Sequence, residues 1–170
     1  MIYRQQQTIT QYMKIFIQLF FFISFLFPAN ILLADIEKGK WNYVKKNDYC
    51  FIGSLPIESD IPEGKKRGKT YVLVYIINKS TDAIVQIEAG YPYDQNKIVE
   101  VKIDESLYKF SSEEETPETA WTDQDKEVIY AMKKGIGLTI FGISSRGTKT
   151  VDTYTLKGFT AAYSKLINDC

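Results

Sequence analysis

Apolar residues along this chain recur mostly at every second position, in short runs broken by polar or glycine-containing stretches. Ile98 to Ile103 is the clearest run. Val99, Val101 and Ile103 share one face, while Glu100 and Lys102 share the other with Ile98, which predicts a strand with one buried side. Thr70 to Ile77 is a denser run of Tyr, Val, Leu and Ile, and Ala83 to Glu88 sets Ile84, Val85 and Ile87 among polar neighbours. Asn78-Lys79-Ser80-Thr81-Asp82 between them fits a hairpin loop. Trp41 to Val44, Tyr49 to Gly53, Leu107 to Phe110, Ile136 to Ile143 and Thr150 to Leu156 bring the predicted strands to about eight.

Two stretches carry a helical period instead. Thr122 and Asp125 form a capping-box pattern ahead of Lys126 to Lys134, with Val128, Ala131 and Met132 on one stripe and Gly135 placed as a C′ terminator. After Gly158, the residues Phe159, Ala162, Tyr163, Leu166 and Ile167 predict a second helix with one apolar face, ending at Cys170. Many short strands with two short helices, one of them C-terminal, predict a mainly β fold of the sandwich type. A parallel α/β sheet would need helices interposed regularly between strands.

The N-terminal run differs from all of these. Ile15 to Phe27 is apolar except for Gln18 and Ser24, shorter than the roughly 20 residues of a membrane span but suited to a signal-peptide core. Met13 and Lys14 supply a positive start, so translation is expected to begin at Met13. Leu32 and Ala34 offer a cleavage site before Asp35. The expected organisation is a signal peptide over 1–34 and one domain over 35–170, with an uncleaved signal anchor as the competing reading. Asp35 stands where a lipoprotein would need cysteine, so no stable membrane insertion is expected after cleavage.

Export changes the meaning of the two cysteines, Cys50 and Cys170. In an oxidising compartment a single pair of thiols predicts one disulfide, and here it would staple the C-terminal helix to an early strand.

Charge and composition mainly exclude. The chain has 21 basic and 21 acidic residues. Without the first 34 residues, which hold Arg4, Lys14 and no acid, 19 basic and 21 acidic residues remain, a net charge of −2. That balance gives no footprint for nucleic acid. The chain contains no histidine, which removes the imidazole base of serine and cysteine triads and the commonest zinc ligand. No cofactor or metal site is expected, and no catalytic constellation stands out.

Two loops are candidates for binding. Ser144-Ser145-Arg146-Gly147-Thr148 combines hydroxyls, a glycine and an arginine that could meet an anionic ligand; the plainer reading is a hairpin turn with Gly147 at positive φ. Lys65-Lys66-Arg67 is the one dense basic patch, and its plainer reading is a solvated loop. Trp41, Trp121, Tyr91 and Tyr93 would make an aromatic platform if the fold gathered them, although strand and core pairs use the same residues. Glu113-Glu114-Glu115 lacks the spacing of a calcium loop. Ser106 and Lys109 match a Ser-x-x-Lys spacing, but the segment reads as a strand, in which residues three apart point oppositely.

Several of these pieces occur together in a known order. Gly142-Ile143-Ser144-Ser145-Arg146-Gly147-Thr148, then Asp152-Thr153-Tyr154, Leu156 and Gly158-Phe159-Thr160-Ala161-Ala162-Tyr163 resemble the invasion-associated locus B family of bacterial envelope proteins. Trp41, Cys50, Pro56, Arg67-Gly68, Gly90-Tyr91, Ala120-Trp121 and Ala131-Met132-Lys133-Lys134-Gly135 extend the match over the whole mature chain. The resemblance implies an immunoglobulin-like β-sandwich, export to the periplasm or outer envelope, and no catalytic residues to carry over. With two cysteines the chain looks like the two-cysteine branch, not the four-cysteine one. The expected function is a non-enzymatic module that binds another envelope protein or envelope component. The alternatives are a periplasmic hydrolase without a recognisable motif and a small carrier for a lipid or sugar.

Overall fold

The computed structural model describes residues 35–170 apart from 78, 79 and 81. The expected leader over 1–34 and its start at Met13 lie outside the described residues, as does most of the loop between the Thr70 and Ala83 runs.

Ten strands form one curled antiparallel sheet. In chain order they are β1 (Asn42–Lys45), β2 (Tyr49–Ser54), β3 (Glu58–Asp60), β4 (Tyr71–Ile77), β5 (Ile84–Glu88), β6 (Val99–Ile103), β7 (Ser106–Glu113), β8 (Thr116–Trp121), β9 (Gly137–Ile143) and β10 (Lys149–Thr155). Helix α1 (Asp125–Lys134) joins β8 to β9, and α2 (Phe159–Asp169) closes the chain. The spatial order is β1-β2-β4-β5-β8-β7-β6-β9-β10-β3. Strand β7 makes the fold possible: up to Phe110 it pairs with β6, from Ser111 it pairs with β8, and a register shift at Ser112/Glu113 follows within the second pairing. The result is a β-sandwich-like fold whose two layers are halves of a single sheet.

Alternation decides what fills the space between the layers. Val99, Val101 and Ile103 of β6 are buried, with Glu100 and Lys102 outward. They meet Ile52, Val72, Val74, Val85 and Ile87 from the other half, together with Phe110, Leu138, Ile140 and Tyr154, in one continuous core. Burying each such aliphatic or aromatic side chain is worth about 1.5–3 kcal/mol.

Two strands escape prediction. β3 is Glu-Ser-Asp, with no apolar residue to give a pattern; it is a strand because it pairs with β10 at the sheet edge. β8 contains Pro117, which weakens a strand reading, yet it bridges β5 and β7.

The helices are held differently from their sequence signals. No side chain caps α1 in the expected box; Gln124 is the N-cap, and Thr122 Oγ1 accepts from the Gln124 N–H at 3.2 Å. Asp125 Oδ1 accepts the Val85 N–H at 2.8 Å, so its carboxylate ties the helix to β5. Gly135 is extended, with φ −77°, and not left-handed. A Cβ there would lie 2.9 Å from both Ile103 and Leu156, so space and not backbone freedom requires glycine. The inward stripe of α1 is Val128, Ile129 and Met132. In α2, Phe159, Ala162 and Leu166 are buried, while Ile167 stays exposed.

The disulfide joins Cys50 in β2 to Cys170 after α2, with Cα atoms 5.7 Å apart. It fastens the end of the helix to the sheet, as the cysteine positions predicted.

Candidate functional site

The two loops singled out in the sequence line one cavity. Lys65, Lys66 and Arg67 approach it from the β3–β4 connection, and Ser144, Ser145, Arg146 and Thr148 from the β9–β10 turn. Gly90, Tyr91 and Pro92 after β5, Glu118 of β8, Thr150 of β10 and Ile61 complete its wall. The volume is about 260 Å³.

Each wall is set by local backbone bonding. In the β9–β10 turn the Ser144 N–H donates to Thr148 O at 2.8 Å and the Gly147 N–H to Ser144 O at 2.7 Å. Gly147 has φ +78°, and Ser144 Oγ accepts the Thr148 N–H at 3.1 Å. The turn reading is therefore correct for Ser144 and Gly147, which build the loop, while Ser145 and Arg146 are exposed. The Ser145 N–H donates to Pro92 O at 2.8 Å and fastens this turn to the Tyr91 segment. On the other side, Gly90, with φ +70°, lies against Gly68, whose N–H donates to Gly90 O at 2.7 Å.

Arg67 corrects the picture of a solvated basic loop. Its side chain is only 5% exposed and forms a two-pronged ion pair with Asp152. Nη1 donates to Oδ2 at 2.8 Å, and Nη2 donates to Oδ1 and, at 3.1 Å, to Ser59 Oγ. Ser59 Oγ in turn donates to Asp152 Oδ1 at 2.6 Å. Burial alone would lower the Arg67 pKa, but the Asp152 hydrogen bonds and charge outweigh it and leave it raised. Its guanidinium also sits 5.9 Å from the centre of the Tyr91 ring. Arg67 is a floor, not a free ligand group.

Lys65, Lys66 and Arg146 are different. All three are exposed, and among the described residues none has an acidic partner within ion-pair distance. Glu118 is the single carboxylate on the wall. Tyr91 shares a 2.6 Å hydrogen bond with Thr150 Oγ1, and burial, against the pull of that bond and of Arg67, pushes its pKa up. It is a neutral phenol at working pH. The arrangement can therefore attract and hold an anion.

The four aromatics make core and strand pairs, the plainer of the two readings, and no shared platform. Trp41 packs edge-on against Phe159 with ring centres 4.9 Å apart, Trp121 meets Tyr75, and Tyr93 is buried against Tyr91. Ser106 and Lys109 lie exposed along β7, and Glu113 to Glu115 form the exposed end of β7 and its turn into β8.

A wider depression of about 540 Å³ runs between β1 and α2, past Asp35, Glu37, Trp41 and Lys165. Its acids are already engaged, Asp35 with Lys46 and Glu37 with Lys40. The smaller, charge-unbalanced cavity is the better candidate.

Sequence reasoning missed Asp152 and Ser59. Asp152 left a trace: Thr150, Asp152 and Tyr154 share the buried face of β10, and a buried acid at period two requires a basic partner.

A family model for the invasion associated locus B (IalB) protein matches residues 46–167. The chain belongs to the IalB family. The crystal structure of invasion associated protein b from Bartonella henselae has the same fold, with a TM-score of 0.55 at 17% sequence identity, over 76% of this chain and 93% of that one. No curated protein matches. No helix among the described residues is long and apolar enough to cross a membrane.

Proposed function

We propose that this IalB-family protein is exported to the periplasm or outer envelope and works there as a non-enzymatic binding module, engaging another envelope protein or envelope component at the cavity between the β3–β4 and β9–β10 loops. Export rests on the apolar run at Ile15 to Phe27 and on a disulfide suited to an oxidising compartment. Binding rests on one observation. Lys65, Lys66 and Arg146, from loops about eighty residues apart in sequence, converge on a cavity with one carboxylate and no imidazole.

The test is capture from the native envelope by crosslinking, with the wild type beside Lys65→Glu/Lys66→Glu/Arg146→Glu. A reproducible partner that the charge-reversed protein fails to capture is the expected result. Capture indifferent to the reversal would place recognition elsewhere and sink this reading of the cavity.

One feature favours a catalytic reading. Burial pushes the Glu88 pKa up against a Thr119 hydrogen bond, and the charge of Glu118 adds to it, an asymmetry that acid–base pairs use. Glu88 is half-buried, bonds Thr119 at 2.9 Å and does not line the cavity, so the pair does not converge on a substrate position. A carrier enclosing a whole lipid would need a larger space than 260 Å³.

A further inference from the structure

We propose that the cavity binds a phosphomonoester, the phosphate of a sugar or lipid head group, through Lys65, Lys66 and Arg146. This rests on the reading of the same cavity as the protein's binding site, and adds the chemistry of what it takes.

Three cations border a space of about 260 Å³. That is below the usual range for drug-sized ligands, so a single head group fits and an extended chain does not. A carboxylate brings one negative charge, whereas a phosphomonoester brings up to about two, with three acceptor oxygens. The three acceptor oxygens match the number of exposed cations, and the two charges match their balance against Glu118. Two further observations make this more than a charged patch.

First, the cations are carried on tied turns. The Lys65 N–H donates to Pro62 O at 3.1 Å, and the β9–β10 turn carrying Arg146 is closed by its own bonds and joined to Pro92. Little ordering of the backbone remains to be done on binding. Second, the floor is already neutral. Asp152 is committed to Arg67 and Ser59, so the one buried acid beneath the cavity does not cancel the field of the three outer cations. Arg67 is thus a positioning residue that shields Asp152. Ser145 and Thr148 line the same wall, and hydroxyls suit sugar or phosphate oxygens.

The test is titration calorimetry of the purified protein with inorganic phosphate, glucose 1-phosphate and uncharged glucose. Saturable binding of both phosphates, absent for glucose, is expected, weakening at least about tenfold in Lys65→Gln/Lys66→Gln/Arg146→Gln, since each charge-assisted bond is worth a tenfold factor or more. Lys97→Gln/Lys157→Gln, which removes two cations away from the cavity, should bind as the wild type does. A thermal melt of each variant separates lost binding from lost folding. Flotation with phosphatidylcholine vesicles, with and without phosphatidic acid, assigns the source. Triple-variant-sensitive binding to the acidic vesicles indicates a lipid phosphate, and binding of soluble glucose 1-phosphate alone indicates a sugar phosphate.

No saturable binding to any phosphate, or binding that the triple variant leaves unchanged, overturns the proposal. If phosphate does not bind while envelope capture still depends on the three cations, the binding-module reading stands and only the ligand class falls. If capture also fails to depend on them, both fall together.

Discussion

At the base of the β9–β10 hairpin the Trp41 indole N–H donates to Thr155 O at 2.9 Å, and its ring meets Phe159 where α2 begins. That helix is then bonded covalently to β2 through Cys170 and Cys50. Toward the hairpin tip the cross-link is ionic instead: Arg67 reaches Asp152 across the sheet edge. The first fastening is covalent and largely apolar. The second is bordered by Lys65, Lys66 and Arg146, which have no acidic partner among the described residues. An ion pair costs desolvation that a disulfide or an aromatic contact does not, so its use beside the cavity calls for a reason other than stability. A fixed arginine that neutralises a buried acid next to a cation-lined space is such a reason.

Removing the covalent fastening tests the first half of this contrast and should give the largest effect. Closing a loop of 120 residues stabilises by about 4–5 kcal/mol in the chain-entropy picture. Cys50→Ala/Cys170→Ala should lower the unfolding free energy by about that amount in urea, with the phosphate affinity of any remaining folded protein unchanged. A midpoint that does not move on reduction or substitution would mean the packing of α2 alone holds that region.

Breaking the ionic fastening comes next. Asp152→Ala leaves Arg67 buried without its partner, at a cost of about 3–5 kcal/mol. Arg67→Met/Asp152→Leu removes both charges and should recover most of that loss. If Arg67 serves the cavity by neutralising Asp152, the double variant, with no acid left to neutralise, keeps its phosphate affinity, while the folded fraction of Arg67→Met alone loses it. Affinity unchanged in Arg67→Met would reduce the pair to a structural element.

What could be read in advance follows the same division. The strands of the core were legible because Val99, Val101 and Ile103, or Val85 and Ile87, carry their period on their own. β3 was not, since Glu58, Ser59 and Asp60 are a strand only through β10. The two helices were visible, but not how they are held, because Asp125 spends its carboxylate on Val85 and Gly135 is needed for the room beside Ile103 and Leu156. At the site, both loops stood out by composition. Their meeting did not, because it depends on where β4 and β10 fall in the curled sheet.

Two glycines sharpen the contrast around the cavity, Gly90 in its wall and Gly147 in the turn that carries Arg146. Both have positive φ, yet a Cβ on Gly90 would lie 2.5 Å from the Gly68 carbonyl carbon, whereas one on Gly147 meets nothing within 4 Å. Gly147→Ala should therefore cost about 1 kcal/mol for the left-handed backbone alone. Gly90→Ala should exceed about 2 kcal/mol, because the strand ends at Gly68 must also separate. Equal losses in denaturant unfolding would refute the close approach.

A smaller effect tests the carboxylate at this end. The folded Glu88 pKa is raised, so the folded state binds its proton more tightly and stability falls as pH rises from the ordinary value of 4.5 through the raised one. Glu88→Gln should be the more stable protein at neutral pH, by less than any of the losses above. The advantage should vanish once the pH is well below 4.5. An advantage that persists in acid would come from packing and not from charge.

The smallest stability effect is expected where the functional effect is expected to be greatest. Lys65, Lys66 and Arg146 are exposed and unpaired among the described residues, so neutralising each should move the unfolding free energy by less than about 0.5 kcal/mol. Neutralising like charges gathered at one cavity relieves repulsion, which gives the change a stabilising sign. A melting temperature that rises slightly as phosphate affinity falls is the signature of residues kept for recognition at a small cost in stability. If these substitutions instead destabilise the fold as Asp152→Ala does, the cations belong to the same structural network as Arg67, and the contrast between the two fastenings disappears.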